Sequence, residues 1–246
     1  MLEKVQKHFP NAVPSSDFVL NIYKSLTPYE LTPDKIMLAH SICSDDVNAI
    51  EYPEEGRQML GPFNMGGLNG YPFTGLTGMS AFAHHVPDEG AAMIFYAPHI
   101  GVSESGELGK IIRVGQEEES SCCGAAVLAL SRLKNNEIVP GEKPADDYQQ
   151  HCLQEFLYEQ KDRVLNSPKP IKEATEVILE QSGQLIDRLI EKTSFSGKYL
   201  FVIGAVIINT DWHFGSFLEL RRFEEWDIQT RKKIRDIQHY SITSQV

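Results

Sequence analysis

Cysteine is scarce in this sequence: four residues in 246, at positions 43, 122, 123 and 152. So few thiols do not make the disulfide framework of a small secreted domain, and the adjacent pair is badly placed to bridge itself without strain. A reducing compartment is expected. Long apolar runs are absent. The longest, YLFVIGAVII at 199–208, falls short of the ~18–20 residues that span a bilayer and reads as a buried strand, so no membrane partner is expected. The start, MLEKVQKHFP, lacks the basic and apolar segments and the small-residue cleavage site of a secretory leader. Positive charge is in deficit, with 23 Lys and Arg against 34 Asp and Glu and a formal net charge of −11. Nucleic-acid affinity rests on neutralising phosphates, so no nucleic-acid partner is expected. Phosphate-binding fingerprints are missing too. GGLNGYPFTGLTG holds neither a Gly-Lys-Ser/Thr nor a G-x-G-x-x-G between strand and helix, which argues against ATP and NAD.

What remains is an ordinary globular composition, with enough length for one sizeable core. SSDFVLNIYKSL opens on serines and repeats apolar residues at helical spacing. DKIMLAHSIC (34–43), AAMIFYA (91–97) and GKIIRVG (109–115) read as strands, TGLTGMSAFAHH as a short helix, and SCCGAAVLALSRLKNN as a helix capped by Ser120 or Ser121. Residues 146–165 and 170–193 read as long amphipathic helices. YLFVIGAVII and SFLELRRF, joined by NTDWHFG, suggest an antiparallel strand pair. The expected fold is α/β: a layered sheet with flanking helices, in a single domain over 1–246.

This map sends the soft ligands to one place. Cys43 ends one strand, His99 follows the end of another, and Cys122 and Cys123 open the helix after a third. In α/β sheets these positions gather outside the carboxyl ends of the strands. Two thiolates and an imidazole form a Cys₂His set, the ligand type of a zinc site that keeps a fourth position open for water. The spacing is long, 56 and 24 residues between Cys43, His99 and Cys123, so pattern alone is weak. Each thiol has an ordinary alternative as core filler, above all Cys152 on its amphipathic helix. His84 and His85 have one as helix C-terminal residues. Asp45 either accepts a hydrogen bond from the bound water or competes for the metal, and the sequence leaves both open.

The ordered set CSDDVN, GGLNGYPFTGLTG, AHHVPDEGA, YAPHIG and SSCCGA, over roughly residues 36–126, resembles the limiting-CO2-inducible protein B family of algae and its bacterial relatives. Active members of that family are theta-class carbonic anhydrases. The resemblance implies a fold like that of beta carbonic anhydrases, a Zn2+ ion held by Cys43, His99 and Cys123, and a homodimer. It also implies CO2 and bicarbonate as substrate and product, and a location in the cytoplasm or plastid stroma. The resemblance points to Cys123 as the third ligand; adjacent helix positions point about 100° apart, so only one of Cys122 and Cys123 is expected to face the metal. The second cysteine is then expected behind the helix. Asp45 matches an aspartate that beta enzymes hold off the metal with an arginine two residues on. Position 47 here is valine, so Arg57 is expected to take that role through the fold. His85 is expected to pass the released proton to buffer, and Phe73 to line a small apolar pocket.

The leading expectation is thus reversible hydration of CO2. Two others stand beside it: a catalytically silent relative acting by assembly or inorganic-carbon sensing, and a thiol enzyme with Cys122 or Cys123 as nucleophile and His84 or His85 as base.

Overall fold

The computed structural model describes residues 1–48 and 54–237. The chain opens with helix α1 (Leu2–Gln6), the short strand β1 (Val13–Pro14) and helix α2 (Ser15–Ser25). Next come β2 (Ile36–Ile42), α3 (Glu54–Arg57), β3 (Leu60–Asn64), α4 (Gly75–His84), β4 (Ala91–Ala97) and β5 (His99–Gly101). After β6 (Lys110–Ile111) and β7 (Ser120–Ser121) come α5 (Gly124–Lys134), α6 (Tyr148–Glu159), α7 (Lys161–Leu165) and α8 (Pro170–Glu191). The described chain ends with β8 (Tyr199–Asn209), β9 (Phe217–Asp227) and β10 (Lys232–Asp236).

One eight-stranded sheet runs in the order β1-β9-β8-β4-β2-β3, with β10 beside β9 and β5 beside β8. Strands β3, β2, β4 and β8 are parallel, and β9 returns antiparallel to β8. The α/β layered fold and its antiparallel pair therefore stand. The sheet is buried because its central strands are apolar on both faces, as parallel strands between covering layers must be. In β4, Ala92, Ile94 and Tyr96 face one core, while Ala91, Met93, Phe95 and Ala97 face the other. The first core lies under α8 and α4. The second lies under α2, which lays Phe18 and Ile22, four residues apart, onto the sheet. No helix of the described residues is long and apolar enough to cross a membrane.

Three local expectations need correction. GKIIRVG supplies only Lys110–Ile111 as strand, paired antiparallel with Ser120–Ser121 and separate from the main sheet. Those serines are therefore strand residues, and the N-cap of α5 is Cys123. The expected helix over 146–165 is broken between Glu159 and Lys161 by Gln160, whose φ of −115° and ψ of 25° are not helical.

Helix α8 comes close to the sheet where Gly183 faces Tyr96. A Cβ built on Gly183 would stand 2.6 Å from the Tyr96 hydroxyl oxygen, well inside van der Waals contact. Gly183→Ala should therefore destabilise the protein by about 1–3 kcal/mol, an overpacking cost that exceeds the gain of about 1 kcal/mol from alanine's helix propensity. In a Tyr96→Phe background the same change should cost less without becoming neutral, because the ring carbons Cζ (3.1 Å) and Cε2 (3.3 Å) still crowd the new methyl group. Urea unfolding of the four proteins of this cycle checks it, and purely additive effects would mean that the hydroxyl is not what limits the contact.

Candidate metal centre

Parallel register brings the first two donors together. Ile42 pairs with Ala97, so Cys43 and His99 both stand just past the last β2–β4 pair, Cys43 after the end of β2 and His99 as the first residue of β5. Cys123 arrives from the other side with an extended backbone (φ −77°, ψ 133°), one residue before α5. The three donor atoms lie within 4.8 Å of one another, and all three residues are buried.

The glycine-rich loop after β3 makes this approach feasible. A Cβ on Gly66 would sit 2.2 Å from the Ile42 carbonyl oxygen, and one on Gly70 (φ 77°) 2.7 Å from that of Ala97. Only glycine lets the loop wedge between the ends of β2 and β4. It delivers Asn69, in the left-handed region (φ 45°, ψ 37°) that asparagine tolerates. The Asn69 N–H donates to Cys43 Sγ at 3.1 Å, and its Oδ1 accepts the His99 N–H at 2.8 Å.

The His99 ring is oriented by Asn209, at the end of β8. Nδ1 lies 2.7 Å from Asn209 Oδ1, and the buried Nε2 has no hydrogen-bond partner among the described residues. An orphaned imidazole nitrogen in a dry site is costly unless something occupies it. A tetrahedral zinc, with bonds of about 2.0–2.3 Å, separates its ligand atoms by roughly 3.5 Å, which small rotations of these side chains reach. The donor set fits that ion.

Electrostatics agree. The Cys43 thiol is held down at about 4, first by the hydrogen bond from Cys123 and, against the cost of burial, by His99 and the backbone of Asp45. That same contact with Cys43, together with burial, pushes the Cys123 thiol well up. Burial opposes charge on His99, but the Cys122 and Cys43 thiols outweigh it and raise the imidazole to about 10.

Asp45 follows Cys43 into a turn and is gripped by Arg113, which donates to Oδ1 at 2.7 Å and to Oδ2 at 2.8 Å. This bidentate pair is largely shielded from solvent. It holds the Asp45 carboxyl down at about 2, against burial, so Asp45 is anionic at any working pH. Arg113 is placed by Asp211, a buried carboxylate that accepts the N–H groups of Ile112 (2.7 Å) and Glu104 (2.8 Å).

Several expected roles fall elsewhere. Arg57 ends α3 as an exposed residue, and the guanidinium on Asp45 is that of Arg113. His85, exposed at the C-terminal end of α4, lies with its ring 5.9 Å from that of Phe63 and does not join the donor cluster. Phe63 pairs with Ala39, four residues short of Cys43 along β2. Phe73 is 55% exposed. Cys122 is not behind the helix: its Sγ is 3.6 Å from His99 Nδ1 and 3.5 Å from Asn209 Oδ1. Both cysteines precede the helix, so the 100° rule for neighbouring helical positions does not apply to them. Arg113, Asn69, Asn209 and Asp211 escaped the sequence reading. An "NTD" run closing a strictly apolar strand is the one signal that could have pointed to Asn209 and Asp211.

Residues 12–227 match the family model described as limiting CO2-inducible proteins B/C beta carbonic anhydrases. The chain belongs to that family. The crystal structure of PtLCIB4, a homologue of the limiting CO2-inducible protein LCIB, is similar at 29% identity with a TM-score of 0.86, covering 97% of this chain and 100% of that one. The crystal structure of LCIB itself shares the fold at 23% identity with a TM-score of 0.69, over 94% of this chain and 97% of that one. No curated protein matches significantly.

Cys43→Ser, His99→Ala and Cys123→Ser should each lose most of the bound zinc, whereas Cys152→Ser should keep it, because Cys152 is a buried residue of α6 outside the cluster. Metal content after dialysis measures this. Full occupancy in His99→Ala would remove His99 from the donor set.

Proposed function

We propose that the protein catalyses the reversible hydration of CO2 to bicarbonate at a zinc ion held by Cys43, His99 and Cys123. The observation that carries this reading is the buried Cys-His-Cys cluster beside an aspartate already neutralised by its own arginine. A zinc ion in such a site acts as a Lewis acid that makes water nucleophilic near neutral pH.

The chain's own residues do the rest. Asp45 Oδ1 accepts from Arg113 and, at 3.3 Å, from the Val47 N–H, while Oδ2 is engaged by Arg113, which leaves a lone pair of Oδ2 to accept the O–H of the attacking water. That bond turns a lone pair of the water oxygen toward the carbon of CO2. Arg113 keeps Asp45 from swinging onto the metal, because a bidentate guanidinium fixes both position and plane of the carboxylate. Burial of the donors limits the site to a very small substrate, and CO2 is small and neutral. Hydration releases one proton for each bicarbonate, and within one chain His85 is not placed to take it.

The family resemblance also implies a homodimer. In support, Val114 (79% exposed) and Trp212 (59% exposed) flank a cavity of about 460 Å³ beside Arg113 and Asn209. A second copy would cover such a rim.

The thiol-enzyme reading has one observation in its favour, the 3.6 Å contact of Cys122 Sγ with His99 Nδ1. Both residues have zero exposure, so a substrate larger than a few atoms cannot reach them.

Stopped-flow CO2 hydration on zinc-loaded protein is the test. The rate should rise with pH through neutrality, since the attacking water must lose a proton, and Asp45, ionised from about pH 2, cannot be the group that titrates. A profile flat from about pH 6 to 9 would exclude a water-ionisation mechanism. Zinc-loaded protein with no hydration rate would favour the silent-relative reading.

Arg113→Leu should keep zinc, lose most of the activity and cost about 1–3 kcal/mol of stability, because it strands a half-buried carboxylate. Arg113→Lys should restore stability better than activity, since an ammonium cannot hold both oxygens. Metal content, chemical denaturation and hydration rates on both variants check this. Undiminished activity in Arg113→Leu would take Arg113 out of the mechanism.

A further inference from the structure

Asn209 is the last residue of β8 and 2% exposed, and both ends of its amide are committed. Its Nδ2 donates to the carbonyl of Val47 at 2.8 Å, and its Oδ1 faces His99 Nδ1 at 2.7 Å. A backbone carbonyl can only accept, so the amide cannot turn over without setting two acceptors against each other. Val47 thereby fixes Oδ1 toward His99. An amide oxygen can also only accept, so His99 carries a proton on Nδ1, and Nε2 is the nitrogen left to take a metal in place of a second proton. Cys122 Sγ, 3.5 Å from the same Oδ1 and 3.6 Å from His99 Nδ1, can donate weakly to the first or accept weakly from the second, and both uses are compatible with a proton on Nδ1. Val47 in turn lies two residues from Asp45, in the turn whose Asn48 N–H bonds the Asp45 carbonyl at 3.1 Å.

We propose that Asn209 is a two-armed positioning residue: Oδ1 sets the tautomer and tilt of His99 as a metal ligand, and Nδ2 pins the turn that carries Asp45. This rests on reading Cys43, His99 and Cys123 as metal donors. The two halves of the site are then held by one side chain, with the polarity of every hydrogen bond fixed by the Val47 carbonyl. Outer hydrogen bonds of this kind orient histidine ligands and raise their affinity for metal.

The two arms separate by substitution. Asn209→Asp keeps an oxygen acceptor for His99 but cannot donate to Val47. Asn209→Leu, of similar shape, does neither. Zinc affinity by competition with a chromophoric chelator should fall roughly 10–100-fold in Asn209→Leu and stay within about threefold of the parent in Asn209→Asp. The visible spectrum of the Co2+-loaded protein should shift in the first and hold in the second. Hydrogen exchange at residues 46–48 should speed up in both, and CO2 hydration should fall in both.

Parent-like zinc affinity in Asn209→Leu, or equal losses in the two variants, would overturn the proposal. So would unchanged exchange of the 46–48 amides in Asn209→Asp. Should a variant fail to fold, nitrogen NMR of His99 in the zinc-loaded parent still decides. The proposal requires the proton on Nδ1 and the metal on Nε2, and the opposite tautomer ends it. Affinity, spectrum and tautomer are all read without CO2. A parent that binds zinc but does not hydrate CO2 therefore overturns the hydration reading and leaves this one standing, whereas a parent that takes up no zinc overturns both.

Discussion

The site depends on the parallel pairing of β2 with β4, seven residues in unbroken register from Ile36 opposite Ala91 to Ile42 opposite Ala97. Cys43 and His99 are each within two residues of the last pair, so the sheet itself sets their separation. A slip of one residue would move one donor by about 3.3 Å and turn its strand's side chains to the other face. The register is firm because β4 is buried on both sides. A slip would carry Ala92, Ile94 and Tyr96 out of one core and Met93 and Phe95 out of the other. Hydrophobic burial on either face of the sheet thus fixes a distance between two polar atoms at its end.

Putting thiols, an imidazole and a carboxylate at that end carries a desolvation cost, and the surrounding segments offset it with backbone groups and amides. The glycine-rich loop brings the Asn69 N–H to Cys43. Asp211 gathers the N–H groups of Glu104 and Ile112, which sets the segment that presents Arg113. The Cys122 N–H reaches the Gly109 carbonyl and its carbonyl accepts from Gly101, which locks the dipeptide beside β5. These bonds come from segments far apart in sequence and converge on the carboxyl edge of the sheet.

The same distinction explains what could be read from the sequence. Strand ends were legible, because AAMIFYA and IMLAHSI announce themselves by apolar content and the soft ligands stand directly after them. Arg113 was not, because it lies 68 residues from Asp45 and the arginine expected close by in sequence is replaced by valine. His85 was misplaced for a topological reason. The helix between two parallel strands runs back across the sheet, so α4 starts near the site, where Thr74 bonds Met65, and carries its C-terminal histidines toward the start of β4. Adjacency to the motif in sequence became distance from it in space. The short helix-like reading of SSCCGA failed because both cysteines precede α5, Cys123 with an extended backbone, and the helix begins only at the glycine after them.

Charge in the proposed site balances in two separate units. Two thiolates offset a divalent cation, with the imidazole neutral, and Asp45 is offset by Arg113. Neither unit needs the other for neutrality, so Asp45 can stand close to the metal without being drawn in as a counter-ion. A Cys₂His set donates more charge than three imidazoles, so it weakens the metal's pull on water, and the midpoint of activity belongs above the ~7 of a tris-histidine site. The neutral pairing also suits the two ends of the reaction. On the hydration reading, CO2 is uncharged and its approach is indifferent to that balance, while bicarbonate would leave an already balanced site into a protein whose overall charge is −11. In this reading the acidic surface takes no part in binding substrate. It opposes retention of the anionic product.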